Sequence, residues 1–165
     1  MLAVPKNPKS QAPAEKDPKR GKPRLAFVVA EFHREIADAM IAAARAEAAT
    51  LGASVSETVE LPGCYETPLV VEALLKKRKV DAVVVLGFIE RGETLHGEVM
   101  GHVVHRALVE ASLRANKPVG LGIIGPGATP AQAEVRKVPS ARAAVRAAVR
   151  SFEALARIGN GSKRR

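Results

Sequence analysis

A chain of 165 residues with 47% hydrophobic side chains suits one domain with a single core, and two domains would be crowded. Its formal charge of +9 sits in the tails: seven Lys/Arg against Glu15 and Asp17 give residues 1–24 a charge of +5, Lys163, Arg164 and Arg165 add +3, and the body stays near +1. That near-neutral body argues against a dedicated nucleic-acid face, 3% aromatic residues with no Trp exclude a stacking platform for single strands, and the lone Cys64 excludes an intrachain disulfide and a cysteine zinc cluster.

Residues 1–23 hold five of the eleven prolines among Lys, Gln and Ser, too little apolar area to offset ordering, so they read as a disordered arm. Its charge, with that of a basic flexible tail at 158–165, aids solubility or binds polyanions weakly. From Arg24 the pattern alternates: strand Leu25–Ala30, a helix over about Arg34–Leu51 with Gly52 as its stop, strand Ser54–Leu61, helix Pro68–Lys77 and strand Ala82–Leu86. A helix at about Glu98–Ala115 follows, then strand Val119–Ile124, a short helix near Pro130–Val135 and a last helix at Ala141–Ala156. The first, third and fourth strands are continuous apolar runs, as when helices cover both faces, whereas Val55, Val59 and Leu61 alternate with polar residues as at an edge. The order predicts an α/β fold, a flavodoxin-like three-layer α/β/α sandwich around a four-stranded parallel sheet.

In such sheets ligands gather outside the carboxyl ends of the strands. Four loops meet there: Glu31-Phe32-His33, Pro62-Gly63-Cys64-Tyr65-Glu66, Phe88 through His96, and Gly125-Pro126-Gly127. They supply aromatics for a flat ring, carboxylates, a histidine and free backbone amides. Glu93 and Thr94 read equally as helix capping or as a phosphate loop, and Arg136 as a surface arginine or a phosphate clamp. His102 and His105 lie three apart without an HExxH pattern, so helix-face histidines near a subunit contact are the better account than a metal. Arg142, Arg146 and Arg150 recur every four residues as a solvated or intersubunit face. No apolar run spans a bilayer and no secretory h-region is present, and with the single cysteine this points to the cytoplasm.

Three segments, Ala30-Glu31-Phe32-His33, Pro62 through Pro68 and Gly87 through His96, taken together with their order and spacing, resemble the 6,7-dimethyl-8-ribityllumazine synthase family over about residues 24–157. Gly125-Pro126-Gly127-Ala128-Thr129, with Gln132 and Arg136 behind it, is similar to the family's archaeal-type branch. The chain departs from the usual pattern at His33, where asparagine is common, at Leu121, where phenylalanine is, and at Val138-Pro139-Ser140-Ala141, near the place of a Gly-Asn-Lys-Gly stretch.

The resemblance implies condensation of 5-amino-6-(D-ribitylamino)uracil with 3,4-dihydroxy-2-butanone 4-phosphate, releasing phosphate and water, with no metal or redox cofactor. It implies His96 as proton shuttle and Arg136 with the Glu93-Thr94 loop at the leaving phosphate. Phe32 stacks on the pyrimidine, Cys64, Tyr65 and Glu66 line the ribityl side, Phe88, Ile89 and Glu90 edge the ring, and Leu121 lines the ring pocket. It further implies a homo-oligomer, a pentamer or a sixty-subunit shell, whose sites pair Phe32 and Glu66 of one subunit with Arg136 or Leu121 of a neighbour. Two other readings stay open at this point: an archaeal-type riboflavin synthase, and a non-catalytic flavin-binding or shell-forming homologue.

Overall fold

The computed structural model describes residues 21–161, so the predicted arm (residues 1–20 of it) and residues 162–165 lie outside the described residues. Eight elements alternate strictly: β1 (Arg24–Ala30), α1 (Arg34–Thr50), β2 (Ser54–Leu61), α2 (Thr67–Leu75), β3 (Ala82–Glu90), α3 (His96–Ala115), β4 (Val119–Ala128) and α4 (Pro130–Gly161). All strand pairs are parallel and the order across the sheet is β2-β1-β3-β4.

Side chains alternate across a pleated strand, and here both faces are apolar because each meets a helix pair. Leu25, Phe27 and Val29 of β1 and Val84, Leu86 and Phe88 of β3 join α1 and α4 in one core. Ala26, Val28, Val83 and Val85 point the other way into a core with α2 and α3. The predicted three-layer sandwich is therefore what forms. β2 is an edge as its alternation implied, and Gly52, at φ +73°, ends α1 in the left-handed conformation that costs glycine least. Arg24 ties the starts of β1 and β3 together: its backbone N–H and its guanidinium both donate to the Asp81 carboxylate, at 2.8 and 2.9 Å.

Four local expectations change. β3 runs on through Glu90 rather than stopping at Leu86, because Gly87, Phe88 and Glu90 still find partners in Ile123, Ile124 and Ala128 of β4. Phe88 is thus a buried strand residue and not a loop aromatic. β4 is the second edge, with Leu121 36% exposed, although its sequence reads as an interior strand. The two predicted C-terminal helices are one, α4, running through Pro139 and continuing to Gly161, past residue 157. Proline removes a backbone N–H and crowds the preceding turn. The helix continues nonetheless because Ala133, Ala141, Ala144, Val145, Ala148 and Val149 form one stripe docked on the sheet, and packing of that face outweighs one missing bond. Among the described residues, no helix is long and apolar enough to cross a membrane.

Candidate active site

β1 has β2 on one side and β3 on the other, so consecutive connections leave its carboxyl end in opposite directions and open a crevice between the ends of β1 and β3. A cavity of about 380 Å³ occupies that crevice. Phe32 after β1, Pro62, Gly63 and Cys64 after β2, Phe88, Ile89 and Glu90 at the end of β3, and Gly92, Thr94, His96, Gly97 and Met100 at the start of α3 form its wall. A larger cavity of about 520 Å³ adjoins it, sharing Glu90, Gly92, Thr94 and Gly97 and adding Arg91, Glu93, Leu95, Glu98 and Gly127.

The turn after β2 is shaped by Thr67, whose fully buried hydroxyl donates to the Cys64 carbonyl at 2.7 Å while its N–H reaches the same oxygen. This presses Cys64 inward, with Sγ 4.0 Å from the Phe88 carbonyl. Burial, reinforced by the negative charge of Glu66, pushes the thiol up to about 12. Cys64 is therefore an inert apolar wall at neutral pH, not a nucleophile. Tyr65 and Glu66 stay exposed at the rim, and the Tyr65 ring stands 6.0 Å from that of His96.

His96 opens α3, its N–H facing the Thr94 hydroxyl at 3.4 Å, and its imidazole engages in no hydrogen bond among the described residues. That imidazole stands beside a helix N-terminus whose first amides have no intrahelical partner. Gly97 lets this end of the helix sit close: a Cβ there would lie 2.7 Å from the Glu90 carbonyl oxygen.

Of the residues singled out from sequence, Phe32, Cys64, Phe88, Ile89, Glu90, Thr94 and His96 share the smaller cavity, and Glu93 faces the larger. Tyr65 and Glu66 stand at the rim and line neither cavity, and Leu121 and Arg136 are not brought to these cavities within one chain. Leu121 lies on the β4 edge in a shallow pocket with Leu108, Val109 and Leu113. Arg136 is exposed on α4, its guanidinium donating to the Gln132 carbonyl at 3.1 Å. The structure also shows a contact that sequence reading missed, the side chains of His33 and Glu90 meeting at 2.8 Å across 57 positions. Neither element's local pattern carries a signal for it, since only the β1–β3 pairing brings the two strand ends together.

The strand order and the place of the cavity define a doubly wound α/β protein with an open cavity at its switch point. Within that class the chain belongs to the 6,7-dimethyl-8-ribityllumazine synthase family, whose model matches residues 22–156. It is 44% identical over 131 residues to the 6,7-dimethyl-8-ribityllumazine synthase of Methanocaldococcus jannaschii, covering 79% of this chain and 92% of that one. The Methanococcus aeolicus protein of the same name is 42% identical over 132 residues, covering 80% and 96%, and that of Metallosphaera sedula 42% over 139 residues, covering 84% and 92%.

Proposed function

We propose that this protein is a transferase that condenses 5-amino-6-(D-ribitylamino)uracil with 3,4-dihydroxy-2-butanone 4-phosphate to give 6,7-dimethyl-8-ribityllumazine, phosphate and water. The observation that carries the reading is the family match across the whole folded body, joined to a cavity in which His96, the Thr94 loop and the Phe32 ring converge.

The chemistry asks for a ring-binding slot, a phosphate site and a proton carrier. Phe32, 52% exposed beside buried Phe88, offers one face to the pyrimidine, Ile89 and Glu90 meet its edge, and Cys64, Tyr65 and Glu66 flank the ribityl chain. The amine adds to the ketone and loses a first water to give an imine, phosphate leaves by elimination, and attack of the second amine on the remaining carbonyl closes the ring with loss of a second water. His96 accepts and returns the protons of these steps. Holding two small reactants together supplies much of the acceleration, so His96→Ala slows turnover by about 10² and does not abolish it.

The leaving phosphate belongs in the larger cavity, against the amides of the Glu93-Thr94 loop. That wall carries Glu90, Glu93 and Glu98 against Arg91 alone, a poor balance for a dianion. Arg136 restores it when a second copy of the chain is docked so that its α4 start meets this loop. A second copy also accounts for the exposed apolar residues at the start of and along α3, Leu95, Val99, Val103 and Leu113, the last of them beside Leu121 on the β4 edge. We therefore read the working form as a pentamer, alone or closed into a shell, with sites between subunits. We read the enzyme as cytoplasmic, a reading that its single cysteine supports, with the basic residues of the tails contributing weak polyanion contact at most.

The test is product formation at neutral pH from the two substrates, followed by lumazine absorbance and fluorescence. Acceleration above the uncatalysed background that disappears in the Arg136→Ala/His96→Ala double variant is expected. No acceleration, or conversion of added lumazine to riboflavin, refutes the assignment.

A further inference from the structure

His33 occupies an expensive position. It is one of two residues other than glycine with positive φ among the described residues, at φ 60°, ψ 69°, where a glycine or asparagine is accommodated more easily. It stands at the N-cap of α1, yet its side chain makes no capping bond; its carbonyl alone serves the helix, accepting from the N–H groups of Ile36 and Ala37. The imidazole turns instead toward Glu90 at the end of β3. Nε2 donates to the Glu90 carboxylate at 2.8 Å, and the ring packs edge-on against Phe32 at 4.6 Å and tilted against Phe88 at 5.1 Å. Both members of the pair are about two-thirds shielded from solvent.

Glu90 is the residue for which this matters. It lies on the wall between the two cavities and lines both. The larger one carries Arg91, the natural counter-charge for a loose carboxylate, while the smaller has neither Lys nor Arg in its wall. Without a donor at His33, Glu90 is drawn toward Arg91 and away from the aromatic slot.

We propose that His33 is a positioning residue: it holds the Glu90 carboxylate on the ring side of the smaller cavity, so that Glu90 meets the N–H edge of the aminouracil already oriented. The proposal rests on the functional reading above and deepens it by assigning recognition of the pyrimidine, and not of the phosphate substrate, to a pair built from two different strand ends. His33 itself touches Glu90 and the aromatic walls, so its effect passes through them.

Steady-state kinetics with both substrates varied, on wild type, His33→Asn, His33→Gln, Glu90→Ala and Glu90→Ala/His33→Asn, decide it. Asparagine tolerates the backbone but is too short to reach Glu90, so its KM for the aminouracil rises about tenfold, the loss of one hydrogen bond to a charged acceptor, while kcat stays within about threefold. KM for the butanone phosphate does not move. His33→Gln, whose amide N–H extends to where Nε2 lies, recovers most of the loss. In the Glu90→Ala background His33→Asn adds nothing, because the group it positions is gone. Thermal unfolding of each variant checks that the fold persists. An unchanged aminouracil KM in His33→Asn, equal rises in both KM values, or multiplied losses in the double variant overturn the proposal while leaving the functional reading intact. A wild-type protein that forms no lumazine overturns the reading and the proposal together.

Discussion

Gly97→Ala is the sharpest probe of how closely α3 must approach the end of β3. The added Cβ would lie 2.7 Å from the Glu90 carbonyl oxygen and 3.5 Å from Ile89 Cγ2. A carbon and a carbonyl oxygen rest no closer than about 3.3 Å, so the helix start must retreat by roughly 0.6 Å. Glu90 cannot give way instead, because its strand is paired to β4 through Ala128 and its neighbour Ile89 is buried. Overpacking of this size costs about 1–3 kcal/mol, and alanine's better helix propensity returns up to about 1 kcal/mol, so the net loss of stability is about 1 kcal/mol. The larger effect is on chemistry, since Thr94 and His96 move with the helix start. A misplacement of about 1 Å can cost about 10² in rate, and a shift of half that size is expected to lower kcat/KM for lumazine formation about tenfold. The assay is kcat/KM beside a thermal melt on the same preparation. A kcat/KM within twofold of wild type would refute the claim that the β3–α3 approach sets the geometry of the site.

If each site draws His96 from one subunit and Arg136 from the next, His96→Ala and Arg136→Ala proteins, each weak alone, should recover about a quarter of wild-type activity when co-refolded in equal amounts; no recovery points to a site within one chain. With its thiol buried and pushed up to about 12, Cys64 should resist iodoacetamide at pH 7 in the native protein and react once unfolded, and stoichiometric labelling of the native form would contradict the packing described. Burial raises the Asp81 carboxyl, but the hydrogen bonds and charge of Arg24 outweigh it and hold the group below its ordinary value. A carboxyl lowered in the folded state stabilises above its unfolded pKa and loses that contribution as pH falls through the folded one. Asp81→Asn should therefore lower Tm at pH 7 and not near pH 2, and an equal drop at both would show that the pair acts through packing and not charge.

What could be read from sequence is what local periodicity encodes. The apolar runs of β1 and β3, the alternating edge of β2, the helix stop at Gly52 and the alternation of strand and helix are short-range patterns, and together they were sufficient for the layers and the parallel sheet. The candidate site is legible as loops at one rim, because a parallel sheet puts every strand's carboxyl end on the same side, and that argument leads to Phe32 and His96, which both line the cavity.

Tertiary structure alone decided the rest. Pairing with β4 carried β3 four residues beyond its apolar run, turning Phe88 from a loop residue into core. Docking of one long stripe kept α4 helical through Pro139, where local propensity calls for a break. The packing of the whole chain set Arg136 and Leu121 apart from His96, and the β1–β3 pairing joined His33 to Glu90. These outcomes depend on contacts between residues distant in sequence, whose energy is absent until the chain has folded. Composition and period determine which elements form and which face each buries; how far an element runs, and which side chains finally touch, is settled by the partner it packs against.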